Sequence, residues 1–267
     1  FTRDRLEVHI RKYYYENKSN EGYILLGDYS KYFDNIQHEL LLFMFKELID
    51  DELAIWLIEK VLEQARIDVS FMDSDEFARS LDMVFNSLDY DTIDRALLTG
   101  EKYLAKHMNI GDQVAQVAGI FYPHRLDNYV KIVEGEKYYG RYMDDFYVIS
   151  EDKEHLKQLS IKIQNQAKNN GIVLNQKKTV ICKLSQPWRY LQIQYALTES
   201  GRIIKKIHPK RLTSMRKKLK KLAGKLNALE FNNYYNSWFK NHYKNMSKKQ
   251  RENMNILFDK LKEEYYV

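Results

Sequence analysis

The sequence predicts an α+β fold, a small mixed sheet backed by helices, with a basic helical module at its C-terminal end. Three observations carry this. Helix-period and strand-period segments alternate along the first two hundred residues. Residues 138–149 form a run of strand-formers interrupted at its centre by Asp144 and Asp145. Charge is unevenly divided: residues 202–267 hold 18 Lys and Arg against 5 Asp and Glu, whereas residues 1–201 hold 25 against 32.

In chain order, residues 3–15 follow helical spacing, with Leu6, Ile10 and Tyr13 on one face. Tyr23 to Leu26 form an apolar strand ending at Gly27-Asp28. Residues 38–65 read as a strongly apolar helical region, broken near Asp50-Asp51. Residues 66–94 are acidic, with seven Asp and Glu against one Arg between Met72 and Asp94. They suggest an exposed insertion, near 66–100, that keeps away from polyanions. Residues 113–133 read as a long helix in which Pro123 should start, kink or end a turn. Residues 139–150 read as a β-hairpin whose turn carries the two acids. Residues 154–170 form an amphipathic helix with Leu156, Leu159, Ile163 and Ala167 on its apolar face, ended by Gly171. A strand region around Val173, Val180 and Ile181 follows, then a hairpin over 189–207 turning at Glu199-Ser200-Gly201. Leu212, Met215, Leu219, Leu222 and Leu226 then keep helical spacing, which leaves Lys210, Arg211, Arg216, Lys217, Lys220 and Lys221 on the outer arc. Such a face suits phosphates without reading sequence. A solvated surface helix carries the same pattern.

Length and composition fit a globular chain. The 267 residues can bury a substantial core, and three prolines with ten glycines argue against disorder. There is no run of about 18 apolar residues, so no membrane span is expected. The single cysteine, Cys182, cannot form an internal disulfide, which suits a reducing, cytoplasmic location. The seven histidines lack zinc-ligand spacing with it. The 21 tyrosines offer flat surfaces beside bases and sugars, but an A/T-rich coding sequence enriches tyrosine equally well.

Carboxylates held close on a rigid backbone repel one another and call for a hard cation, such as Mg²⁺. Asp28 at a strand end and Asp144-Asp145 at a hairpin turn would meet if their strands are neighbours, giving a two-metal site. Singly, Asp28 reads equally as a helix cap and the pair as an Asp-rich turn.

Asp28 with Asp34, and Tyr142-Met143-Asp144-Asp145, resemble two palm motifs of the reverse transcriptases. Asn109-Ile110-Gly111-Asp112-Gln113-Val114-Ala115-Gln116 is similar to the family's third element, in a form seen in diversity-generating and abortive-infection-type bacterial enzymes, with Asp112 and Ala115 departing from the pattern. Gly171 to Thr179 resembles the fourth element, and Trp188-Arg189-Tyr190-Leu191-Gln192 the primer grip. The resemblance covers about residues 1–200. It implies a residual fingers segment over 1–22, a palm over 23–200 and a helical thumb over 201–267. Only 27 residues precede Asp28, so most of the fingers is expected to be removed, or carried on another chain.

The resemblance also implies roles. Asp28, Asp144 and Asp145, with the backbone carbonyl of Tyr29, would hold two Mg²⁺ ions, for which Mn²⁺ can substitute. Lys178, or its neighbour Lys177, would protonate the departing pyrophosphate; the alternative is that both lysines only decorate a strand start. Phe33 would sit under the incoming sugar and reject a ribose 2′-hydroxyl; a core Phe on a helix start is the alternative, which its place between Asp28 and Asp34 argues against. Gly111 and Gln116 would shape the nucleotide pocket, and Tyr190, Leu191 and Gln192 would hold the primer end. The implied partners are an RNA template, a DNA or RNA primer and dNTPs. A defence-type relative that extends DNA without a template, or from a protein primer, is the alternative. An RNA-dependent RNA polymerase or a silent RNA-binding palm is the third reading; the intact acids argue against silence and Phe33 against ribonucleotides.

Overall fold

The computed structural model describes residues 2–109, 111 and 113–266. Helix α1 (Thr2–Asn17) opens the chain, and Leu6, Ile10 and Tyr13 are all buried, as their spacing requires. Contacts divide the molecule into two units, one of residues up to 9 with 23–182, the other of 10–22 with 183 onward.

The first unit carries, in order, β1 (Tyr23–Gly27), α2 (His38–Lys46), α3 (Glu52–Gln64), β2 (Ile67–Asp68), α4 (Ser74–Asp82), β3 (Tyr103–Leu104), α5 (Gln113–Phe121) and α6 (His124–Asn128). It continues with β4 (Tyr139–Tyr142), β5 (Asp145–Ser150), α7 (Lys153–Asn169) and β6 (Val180–Lys183). The main sheet has the order β4-β5-β1-β6. β5 is antiparallel to both neighbours, with Gly27 opposite Phe146 and Tyr142 opposite Asp145. Helices back this sheet through a core that includes Leu25, Ile36, Leu41, Ala118, Val148, Leu159 and Ile163. This is the α+β architecture expected from the alternation of elements.

Local chemistry sets the breaks. The Asp51 carboxylate accepts the N–H groups of Leu53 and Ala54, which starts α3 and splits the apolar run as expected. Pro123 separates α5 from α6, and Tyr129–Val133 continue as a π-helical turn, so the 113–133 helix is interrupted. Gly171, at φ +66°, follows α7.

The acidic stretch is more than an exposed insertion. β2 pairs with β3, and Val69, Met72, Phe85 and Leu104 form a small core of their own. Asn35 ties that core to the palm by donating to the Phe85 carbonyl and accepting the Phe85 N–H, each at 2.8 Å.

The second unit carries β7 (Trp188–Tyr190), β8 (Ile193–Leu197) and β9 (Ile203–Ile207) as an antiparallel sheet, then α8 (Pro209–Leu222), α9 (Ala228–His242) and α10 (Lys248–Tyr266). The single hairpin expected over 189–207 is therefore a three-stranded meander. Its second turn is the one expected, at Gly201 (φ +75°). Its first falls at Leu191-Gln192, both with positive φ, which suits a two-residue hairpin turn although neither residue is Gly or Asn. The helices enclose Leu212, Met215, Leu219, Phe231, Met254 and Phe258.

The division falls at 182/183 and not at 200/201, and residues 1–22 form no unit of their own. The reason lies in hydrogen bonds that join 10–22 to the meander. Leu184 N–H donates to the Gly22 carbonyl, the Asn20 amide to Leu197 and the Tyr14 hydroxyl to Glu199. No helix among the described residues is long and apolar enough to cross a membrane.

Candidate active site

The hairpin turn consists of Met143 and Asp144, because Tyr142 pairs with Asp145. Asp28 directly follows Gly27, the last residue of β1, and β1 lies beside β5. A Cβ on Gly27 would fall 2.1 Å from the Phe146 ring, so only glycine permits this approach. The Tyr29 N–H then donates to the Asp144 carbonyl at 3.2 Å. Asp28 and the Asp144-Asp145 pair are thus brought together on adjacent strand ends.

Their electrostatics follow from burial. Burial first, and the Asp28 charge after it, push the Asp144 carboxyl above its ordinary range, against its own backbone hydrogen bond and the weaker pull of Lys178 and Arg141. Asp28 is only 6% exposed. Its Oδ2 accepts from Lys178 Nζ at 2.8 Å, while its Oδ1 is buried and meets no hydrogen-bond donor among the described residues. The Asp28 bond, aided by the charges of Asp144 and Asp145, raises the Lys178 ammonium above its ordinary value.

Why Lys178 arrives there is visible in the backbone. Asn175 N–H donates to the Asp28 carbonyl at 2.7 Å, and Lys178 N–H closes a turn on the Asn175 carbonyl. Lys177 spends its N–H on the Asn175 side chain and is exposed. Of the two adjacent lysines, 178 is the one on the carboxylate.

Phe33 packs over Gly119 of α5: a Cβ there would stand 2.9 Å from its ring and 3.7 Å from Met143 Sδ. Phe33 is therefore close to the acidic turn. Tyr32 donates its hydroxyl to the Gly119 carbonyl, and Tyr29 packs on Tyr32 and Phe146. Burial drives the Tyr29 phenol well above its usual range, so it stays neutral. Gln116 is exposed on α5, and Gly111 has φ +131° with open space where a Cβ would lie. Ile110 and Asp112 lie outside the described residues.

Asp34 takes another role. It accepts from Ser87 and pairs with His107 Nδ1 at 3.0 Å. Burial pushes its carboxyl up, but the His107 and Ser87 bonds outweigh this and the net shift is downward. A depressed carboxyl stabilises the fold above its unfolded value and loses that contribution as pH falls through the folded value. Asp34→Asn is expected to cost about 1–3 kcal/mol at pH 7. The difference should shrink toward zero on acidification below about pH 3.8, the ordinary Asp value, as denaturant titrations at several pH values would measure.

In the second unit, Tyr190 is buried at the end of β7, and Leu191 and Gln192 form the turn described above. On α8, Lys210, Lys217, Lys220 and Lys221 are exposed, whereas Arg211 and Arg216 are half-buried.

Sequence reasoning passed over Arg141 and Asp127. Arg141 lies within β4 and pairs with Asp127 of α6 at 2.6 Å, with only 8% of its side chain exposed. An arginine inside a run of buried aromatics is itself a signal, because a buried charge requires a partner.

No group of three or more His, Cys, Asp or Glu side chains among the described residues is arranged as a metal site. The buried Asp28 oxygen, which has no donor among the described residues, nevertheless fits a hard cation, since carboxylate oxygens are the ligands such ions take.

Comparisons with known proteins bear on the same span. The family model described as "Reverse transcriptase (RNA-dependent DNA polymerase)" matches residues 2–195. No curated protein matches the sequence significantly. Among solved structures, the apo telomerase of Candida tropicalis is similar at a TM-score of 0.46 and 15% identity, over 75% of this chain and 35% of that one. Telomerase of Candida albicans, in complex with a TWJ fragment of telomeric RNA, is similar at 0.49 and 13%, over 97% of this chain and 47% of that one. The chain thus spans less than half the length of these two telomerase chains. The family match covers most of the sequence and holds both acidic elements: the chain belongs to the reverse transcriptase (RNA-dependent DNA polymerase) family.

Proposed function

We propose that the chain carries out RNA-templated DNA synthesis, transferring nucleotides from dNTPs to a primer 3′-hydroxyl. The observation that carries this is the meeting of Asp28 with the Asp144-Asp145 turn, inside the matched span, with one Asp28 oxygen lacking a donor among the described residues. Asp28 and Asp144 would hold two Mg²⁺ or Mn²⁺ ions, with Asp145 and the Tyr29 carbonyl completing the set. Bound there, the ions would acidify the primer hydroxyl and neutralise the triphosphate.

The chain's own groups do the rest. Lys178 keeps its proton beside the carboxylates and is the donor for the departing pyrophosphate. Lys177, exposed next to it, attracts the triphosphate. Phe33 on Gly119 forms the floor under the sugar, with Gly111 and Gln116 at the pocket. Tyr190, Leu191 and Gln192 hold the primer end. The first unit is the palm, and the helices of the second are the thumb. A bacterial or phage-type enzyme is the lineage that the Ile-Gly-x-x-x-x-Gln element favours, and the lone cysteine suits a cytoplasmic location.

Primer extension tests this directly, with RNA template, DNA template or none, and with dNTPs or NTPs. Template-dependent dNTP incorporation on RNA is the expected result. Incorporation without template would favour the defence-type, template-independent or protein-primed reading instead. Binding to single-stranded RNA tests the thumb. Replacing Lys217, Lys220 and Lys221 together by Gln is expected to weaken it regardless of sequence. The slope of log affinity against log salt should become shallower by about 2, from about 0.7 per lost phosphate contact.

A further inference from the structure

The Arg141 guanidinium makes four hydrogen bonds from a nearly dry position. Nε and one terminal nitrogen clasp the Asp127 carboxylate at 2.8 and 2.6 Å. The same terminal nitrogen donates to the Ile120 carbonyl, in the last turn of α5, at 2.8 Å. The other donates to the Met143 carbonyl, within the acidic turn, at 2.8 Å. Tyr139 also donates to Asp127, so that carboxylate is held by donors from two residues of β4.

Met143 has φ +53°, a left-handed conformation that costs a non-glycine residue about 1–2 kcal/mol. Its carbonyl is fixed by the guanidinium, and Asp144 is the next residue. The helix fastened at the other end of the clamp carries Gly119, on which Phe33 rests within reach of the Met143 sulfur. A buried ion pair contributes little stability compared with apolar packing of the same volume. Its gain here is geometric.

We propose that Arg141, oriented by Asp127, is a positioning residue that fixes the Asp144 turn against α5 and so sets the spacing between the carboxylates and the floor under the sugar. This rests on the reading of Asp28 and Asp144 as cation ligands. Lysine cannot replace arginine in this role, because an ammonium lacks the planar fork that reaches a carboxylate and two carbonyls at once.

The test is Mn²⁺ binding by the full chain without substrate, followed through the EPR signal of the free ion well below the melting temperature. Arg141→Lys is expected to weaken binding about tenfold, the lower end for groups that orient metal ligands. Asp127→Asn, which keeps the guanidinium and one acceptor, should weaken it in the same direction and serves if Arg141→Lys does not fold. A lower melting temperature with unchanged Mn²⁺ affinity in these variants would overturn the proposal, since a merely structural residue predicts that result. Absence of Mn²⁺ binding by the unsubstituted chain would instead remove the ligand reading beneath it.

Discussion

Asp144→Ala should abolish primer extension while leaving the protein folded. Charge neutralisation at a metal-assisted centre supplies several kcal/mol. At about 1.4 kcal/mol per decade this is about three orders of magnitude in rate. The substitution is clean for two reasons. Burial disfavours the ionised Asp144 carboxyl, so its removal should not lower the melting temperature. The neighbouring backbone contact, Tyr29 N–H to the Asp144 carbonyl, survives in alanine. Asp28→Ala would be less clean, since it also removes the partner of the Lys178 ammonium. Single-turnover extension and thermal melting, measured on the same preparation, provide the check. Activity within tenfold of the parent would remove Asp144 from the reaction centre.

Phe33→Ala should relax the discrimination between deoxy- and ribonucleotides. The ring lies on Gly119 and near Met143, so shortening it opens space beside the acidic turn. Steric discrimination of this kind is worth about 1–3 kcal/mol, or about 10- to 200-fold in the ratio of kcat/KM values. Phe33 is half-buried, so the stability cost should fall below the about 3–5 kcal/mol of a fully buried Phe→Ala change. Competing dNTP and rNTP incorporation on one template measures the ratio. Equal losses for both nucleotides, with the ratio unchanged, would make Phe33 a packing residue only.

The parts of this fold that were legible in the sequence are those whose causes are local. Asp50-Asp51 announces the break between α2 and α3 because a carboxylate can cap the next helix. The acidic turn was readable because β-formers flank it and two carboxylates do not belong in a strand centre. Lys178 could be narrowed to two candidates, but the choice between them depends on a turn hung from the Asp28 carbonyl, a contact 147 residues away in sequence. The Leu191-Gln192 turn was hidden because residues with side chains adopt a backbone that glycine or asparagine usually signals. Asp34 looked like part of the acidic motif, yet its partners, Ser87 and His107, come from the acidic lobe and its exit. The Arg141 clamp joins three segments, none of which signals the others.

β5 is buried on both faces along Phe146, Tyr147, Val148 and Ile149. Alternate side chains of a strand point opposite ways, so gaining or losing one residue between 139 and 150 would exchange the two faces and turn each carboxylate away. Homologues should therefore keep this interval at constant length. The lobe between Ile67 and Leu104 folds around its own small core, and there, away from Phe85 and Ser87, which hold Asn35 and Asp34, insertions and deletions can accumulate without disturbing the acidic turn. Evolution can tinker with the one and must copy the other.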